Sequence, residues 1–342
     1  MSQLGLFIDS FDHYTDLTTK WTNSFAAGIQ SNIGRNGAGC LITAGGFISK
    51  TLSLQSNISI GFAYKLNPGQ GNMGGLVYTL EAINTSGSTS TLCQVLVFAD
   101  GTFGLYAGNN TLIDNPQTFV CTPGKWMFVE INVQLSGSTP IQVQMTLKVN
   151  GNVLTNAISK PSNVNSGSLL CNSAKGNYHT IHSAVGNGNI IVDDLYVTIG
   201  STFLGDNAIF CIYPRQDVTI GFTPNTGATR YNLIREHPPD DDTTYIYSNT
   251  LNDLYTAFFD TVPPLTGPIK MAQLSIYARK DDEGSRAIVD AVHGGSFVGS
   301  NNFYLGDTYY YHTFPYDNDP STGNPWTPSI VNAQDFGVKL IV

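Results

Sequence analysis

Hydrolysis of a glycosidic bond needs two carboxylates, one as acid and one as nucleophile or base, held about 5–9 Å apart. Acids at alternate positions of one strand share a face, and Glu130-Ile131-Asn132-Val133-Gln134 has that spacing. Asn132 and Gln134 occupy the positions where further carboxylates are needed, and Glu81 is the only other Glu in residues 1–200. Calcium takes several carboxylate oxygens, which draws attention to Asp240-Asp241-Asp242. Neighbours in an extended run face opposite ways, however, and acids after Pro238-Pro239 suit turns. Asp317-Asn318-Asp319-Pro320-Ser321 opens like an EF-hand loop, but Thr322 stands where Gly is required and Pro328 where Glu is required. His179 and His182 fall on opposite faces of a strand, with no third zinc ligand near. Gly71-Asn72-Met73-Gly74-Gly75 opens no helix, and no nucleophile elbow, P-loop or dinucleotide fingerprint occurs. These readings lead to an expectation of no catalytic, cofactor-binding or metal-ligating residues, and of no enzymatic activity.

Aromatic residues are the remaining chemical signal. Tyr304, Tyr309, Tyr310, Tyr311 and Phe314 crowd around Gly306-Asp307. Three consecutive tyrosines on a strand reach both of its faces. One face is a candidate subunit interface, where Tyr is enriched. Stacking on sugars and packing within the chain are the alternatives.

The elements that position these residues read as β throughout. Val143, Met145, Leu147 and Val149 alternate with Gln144, Thr146 and Lys148 and run into Asn150-Gly151. Period two ending in Asn-Gly predicts a half-buried strand and a tight hairpin. Leu52 to Leu66, Leu76 to Leu80 and Leu92 to Phe98 read as strands, with Asp100-Gly101 turning into Phe103-Gly104-Leu105-Tyr106. Pro161 to Gly176 reads as a loop. Trp126, entering the strand with Glu130, is expected to anchor the first core. Further on, Ile209 to Tyr213, Ile269 to Arg279 and Ser285 to Val292 read as strands, the last two joined through Lys280 to Gly284. One helix is expected from Pro328 to Phe336, with Thr327 as N-cap, Pro328 at its first position and Gly337 as its stop. Val338 to Val342 then reads as a final strand.

Composition supports two domains. The chain has 342 residues, 41% apolar but only 12% charged, which suits turn-rich all-β folds. Residues 1–200 carry 8 basic and 9 acidic groups, whereas residues 201–342 carry 8 and 16. The jump in acidity supports a boundary near Gly200-Ser201. A net charge of −9 argues against nucleic acid, whose binding needs clustered Lys and Arg. No apolar run reaches the length of a membrane span, and the first residues lack a signal-peptide pattern. Five cysteines without CxxC spacing are expected as free thiols made in a reducing cytoplasm. The sequons at Asn57, Asn84 and Asn109 carry little weight beside that reading.

Gly124-Lys125-Trp126 with its strand, followed by the strand ending in Asn150-Gly151, resembles the core of concanavalin A-like and laminin G-like jelly rolls. Asn189-Ile190-Ile191-Val192-Asp193-Asp194-Leu195-Tyr196-Val197 resembles their closing strand, whose partner would be the opening strand Leu6 to Phe11. Some concanavalin A-like β-glucanases carry Glu-x-Asp-x-Glu where this chain has Glu130, Asn132 and Gln134. Phe203-Leu204-Gly205-Asp206, Pro239 to Tyr245, Tyr277 to Arg286 and Asp319 to Thr327 resemble a domain of tailed-bacteriophage proteins. In that family it follows a lectin-like β-sandwich in virion structural components.

The resemblance implies an all-β chain: a concanavalin A-like jelly roll over 1–200, then a smaller β-sandwich over 201–342 with one short helix. It implies a virion structural protein of tail, baseplate or capsid decoration, made in the host cytoplasm. Its partners would be other virion proteins and identical copies, a trimer being favoured, with a host-surface glycan as a further partner. No cofactor, nucleic acid or membrane insertion is expected. A carbohydrate-binding lectin is the alternative, and a glycan-degrading enzyme is disfavoured by the missing carboxylates.

Overall fold

The structure, a computed structural model, describes residues 5–66 (without 36 and 38), 75–83, 89–107 (without 99), 111–114, 121–136, 142–159, 176–182, 189–292 (without 266), 296–297 and 302–342. The Gly-rich run 71–74, most of the 161–176 loop, Cys171 and the sequon asparagines 84 and 109 lie outside these residues. The chain divides into two compact units: a jelly-roll unit, Ile8–Ile209, and a C-terminal unit, Phe210–Val342 with Met1–Phe7.

Thirteen strands form the large sheet. They are β1 (Gly5–Asp9), β2 (Asn23–Gln30), β3 (Cys40–Gln55), β4 (Asn57–Leu66), β5 (Gly75–Ile83), β6 (Thr89–Val97), β7 (Phe103–Ala107), β8 (Thr111–Asp114), β9 (Met127–Ser136), β10 (Gln142–Val149), β11 (Asn152–Ser159), β12 (Gly176–His182) and β13 (Asn189–Ile199). Their order is β11-β10-β9-β4-β13-β3-β12-β5-β6-β7-β8; β2 pairs with β3, and β1 with β13, as the closing-strand resemblance implies. The end strands β11 and β8 touch, so the sheet curls back on itself. This is the all-β jelly-roll architecture expected from the alternation. Val143, Met145, Leu147 and Val149 of β10 are fully buried, while Gln144, Thr146 and Lys148 are half-buried. Asn150 and Gly151 take φ of 49° and 78°, the left-handed pair that a two-residue hairpin requires.

Trp126 corrects an expectation. It precedes β9 and is only half-buried, with Lys65 Nζ 4.4 Å from its ring centre. The buried indole of this unit is Trp21, 2% exposed and stacked on Phe11.

The C-terminal unit contains β14 (Pro214–Ile220), β15 (Thr223–Pro224), α1 (Arg230–Ile234), β16 (Ile246–Tyr247), β17 (Leu254–Phe259), β18 (Ala272–Ala278), β19 (Ala287–Val292), β20 (Ser296–Phe297), β21 (Phe303–Tyr304), β22 (Tyr310–Tyr316), α2 (Pro328–Ala333) and β23 (Asp335–Leu340). A sheet ordered β14-β17-β23-β19-β20, with β21 on β19, forms one layer, and the antiparallel pair β18–β22 forms another. Between them lies a core of Leu274, Val292, Phe314, Tyr316, Trp326, Val331 and Phe336.

Several elements depart from the sequence reading. Ile209 to Tyr213 forms no strand, β14 beginning at Pro214. The two strands expected on either side of Lys280 to Gly284 both form, shortened to β18 and β19, and pair with β22 and β23 respectively. Helix α2 starts as expected, with Thr327 Oγ1 accepting from Ile330 N at 3.2 Å, but it ends at Ala333. Gly337 lies inside β23, where a Cβ would sit 1.8 Å from Tyr255 O on β17. Its glycine serves close strand approach rather than a helix stop. The short helix α1 carried no sequence signal that set it apart.

Candidate functional site

Strand β9 holds the acid that sequence reasoning tested for hydrolysis. Glu130 is 2% exposed; its Oε1 accepts from Tyr196 OH at 2.5 Å and from Gly205 N at 2.8 Å. Asn132 Nδ2 lies within 3.0 Å of Asn57 Oδ1, Ile58 O, Ser59 Oγ and Gly200 O. Lys148 Nζ rests 4.3 Å from the centre of the Phe203 ring. The polar face of β9 and β10 is thus covered by the segment that follows β13. These groups fasten that segment to the sheet, and Glu130 and Asn132 are buried.

Two further networks in the jelly-roll unit were missed by the sequence reading. Asp9, 1% exposed, accepts from Phe11 N at 3.0 Å, Tyr14 OH at 2.6 Å, Lys20 Nζ at 3.0 Å and Trp21 Nε1 at 2.9 Å. Lys20 Nζ also lies 3.2 Å from His13 Nε2. Burial alone would raise the Asp9 carboxyl, but Lys20, His13 and the Tyr14 hydroxyl outweigh it and hold the group below its usual value. The signal was an acid closing a first strand, with Tyr five residues on and Lys-Trp eleven and twelve on.

The second network joins Arg35 to the closing strand. Asp193 accepts from Arg35 N at 2.7 Å and Asp194 N at 2.8 Å, and Asp194 accepts from Ile209 N at 2.7 Å. The Arg35 guanidinium bridges Asp194 and Asp206. Burial, aided by the Asp194 charge, pushes the Asp193 carboxyl up to about 7, and burial lifts Asp194 to about 6. Between the ordinary value of 3.8 and these values the native state binds more protons than the unfolded chain. Stability therefore falls as pH rises through that window. The melting temperature should drop between about pH 4 and pH 7, and Asp193→Asn should flatten the slope. Calorimetry showing the same slope in the variant would reject this assignment.

A half-buried cluster of polar and aromatic groups lies on the outer face of β18–β22. Strand alternation sends Ala272, Leu274 and Ile276, with Phe314 and Tyr316, into the core. It turns Gln273, Ser275 and Tyr277 outward beside Tyr311 and Thr313. Tyr277 stacks on Tyr309 with ring centres 4.9 Å apart and lies 4.7 Å from Tyr311. The acidic loop supplies the polar ends: Tyr277 OH donates to Asp241 Oδ1 at 2.8 Å, and Tyr309 OH to Asp242 Oδ1 at 2.9 Å. Arg279 pairs with Asp242 at 2.8 Å and places its guanidinium 5.1 Å from the centre of the Tyr309 ring. Burial, then the bond to Asp242, pushes the Tyr309 phenol up to about 12, so at neutral pH it works as a hydrogen-bonding phenol. The result is a strip of aromatic, amide, hydroxyl and charged groups, most of them bonded to one another.

The residues singled out from sequence divide as follows. Tyr309 belongs to the strip, and Tyr311 flanks it but is only 6% exposed. Phe314 is buried in the core, Tyr310 is half-buried on the inner face, and Tyr304 is 68% exposed. Asp240, Asp241 and Asp242 turn to different partners, Asp240 accepting from Thr244 N. Asp319 is bonded by Ser321, Thr322 and Gln334, closing its own loop. Among the described residues no group of three or more His, Cys, Asp or Glu is arranged to hold a metal ion. Tyr277 and Arg279 were not singled out as site residues, because only folding brings them to the acidic loop.

No protein-family model and no curated protein matches the chain. Solved structures of similar fold include the alginate lyase Aly36B, 12% identical, with a TM-score of 0.43 over 58% of this chain and 100% of that one. An endo-β-1,4-glucuronan lyase from the fungus Trichoderma reesei is 10% identical, with a TM-score of 0.40 over 59% and 99%. A carbohydrate esterase of the Shiga toxin-encoding bacteriophage phi24B is 14% identical, with a TM-score of 0.36 over 57% and 100%. The likeness is one of fold. The expectation of a protein without enzymatic activity, drawn from Asn132 and Gln134 standing where carboxylates are needed, is not upheld, since these similar folds belong to lyases and an esterase.

Proposed function

We propose that this protein recognises glycans, and that it does so as a component of a tailed-bacteriophage particle at the host surface. The observation that carries the glycan reading is the outer face of β18–β22. Sugars present flat C–H faces to aromatic rings and hydroxyls to amides and carboxylates. Tyr277 and Tyr309 supply rings, and Gln273, Ser275, Asp241, Asp242 and Arg279 supply hydrogen bonds along one line. The particle setting is supported by the sequence resemblance of the C-terminal half, and so is assembly with other virion proteins and identical copies, a trimer first among them.

The test is a glycan array on the full chain, followed by affinity electrophoresis in gels containing the polysaccharides that score. Tyr309→Ala and Gln273→Ala should each weaken binding at least tenfold, roughly the 1.4 kcal/mol of one or two lost contacts. Their melting temperatures should stay near that of the parent. Unchanged retention in both variants would remove the strip from the reading. The same gels, stained for new reducing or unsaturated sugar ends, would reveal cleavage. Mass spectrometry of purified particles tests the virion placement, which fails if the chain is absent.

A further inference from the structure

Charge is distributed unevenly along the strip. Its Arg279 end is crowded with exposed carboxylates: Asp240–Asp242 from one loop, Asp281–Glu283 from the turn after β18, and Asp307. The turn is tied to this end by Lys280 N, which donates to Gly306 O at 2.8 Å. Against these seven acids stand Arg279, Lys280 and Arg286. Each of the three is already engaged: Arg279 with Asp242, Lys280 with Asp307 at 3.0 Å, and Arg286 with Asp282 at 2.5 Å. At the other end Lys270 precedes β18 and Asp317 follows β22, so their opposite charges leave the balance unaltered.

A polymer of uronate or sulfated sugars would bring one negative charge per residue against this field. It would also have to displace Asp242 from Arg279 to gain a cation. Exposed charges act over about 8 Å at physiological salt. Neutral sugars meet no such penalty, and their hydroxyls can donate to the carboxylates that line the edge.

Resting on the glycan-binding reading, we infer that the ligand is a neutral glycan, and that the acidic rim excludes polyuronates and sulfated polysaccharides. Affinity electrophoresis of the full chain at low salt tests this, using a neutral β-glucan, a neutral α-glucan, alginate and polygalacturonate in parallel gels. Retention should appear with a neutral polymer at a concentration at least tenfold below any retention by the uronates. The double variant Asp281→Asn/Glu283→Gln, which touches none of the strip's stacking groups, should narrow that gap by retaining uronates better while leaving neutral binding unchanged. Equal or stronger retention by alginate or polygalacturonate would overturn the inference and leave glycan recognition standing. Failure of every polymer to retard the protein would overturn the glycan reading and the inference with it.

Discussion

Asp9→Ala should destabilise the jelly-roll unit by on the order of 3–5 kcal/mol, the loss expected when a buried ion is left without its partner. The carboxylate takes four hydrogen bonds, from Phe11, Tyr14, Lys20 and Trp21. Lys20 and Asp9 are both almost wholly inaccessible, at 1% and 0%. Deleting the acid takes the shared carboxylate from an ammonium, a phenol and an indole N–H at once. Most domains are stable by only about 5–15 kcal/mol, so much of the unit's stability is at stake. Asp9→Asn keeps the volume but removes the charge, and should recover only part of the loss. Asp9→Asn with Lys20→Met should recover more, because neither member of the buried pair is then charged. The pH dependence has a definite sign. The Asp9 carboxyl is held below its usual 3.8, so its contribution is complete above that value and is lost as pH falls through the lowered one. Acid therefore acts here in the opposite sense to Asp193 and Asp194, and stability should peak in the mildly acidic range. Chemical denaturation of the three variants at neutral pH decides the matter; a loss below about 1 kcal/mol for Asp9→Ala would show a dispensable network.

Trp326→Ala should cost the C-terminal unit about 3–5 kcal/mol. The indole is 1% exposed, packs near Tyr316 and Phe336, and donates from Nε1 to Tyr316 O at 3.1 Å. Its removal leaves a cavity directly beneath β22, whose inward Phe314 and Tyr316 share that core. The outward strip rides on the same two strands, so glycan retention should weaken together with stability. Trp126→Ala is the matched control. That ring is half-buried, and its loss should cost below about 1 kcal/mol. Scanning calorimetry of both variants reads the result; equal losses would show that the indoles are equivalent.

Features that depend on a few neighbouring residues were legible in the sequence. Alternation in β10, the left-handed Asn150-Gly151 turn and the Thr327-Pro328 entry to α2 are all local, since side-chain direction and backbone preference repeat within a few residues. The all-β class followed from such patterns taken together. Partner choice was not local. Which strand lies beside β18, and therefore which tyrosine stacks on Tyr277, depends on contacts between residues far apart in the chain. The same holds for Asp242, brought to Arg279 from 37 residues away, and for Asp9, whose four donors converge only after the chain has turned. Burial was equally non-local: Trp126 and Trp21 both sit beside strands, yet what packs over each ring decided that one anchors a core and the other stays at the surface. Sequence patterns determined the elements and their inward faces, while tertiary packing decided which outward residues met to form the strip, because only folding sets the distances between them.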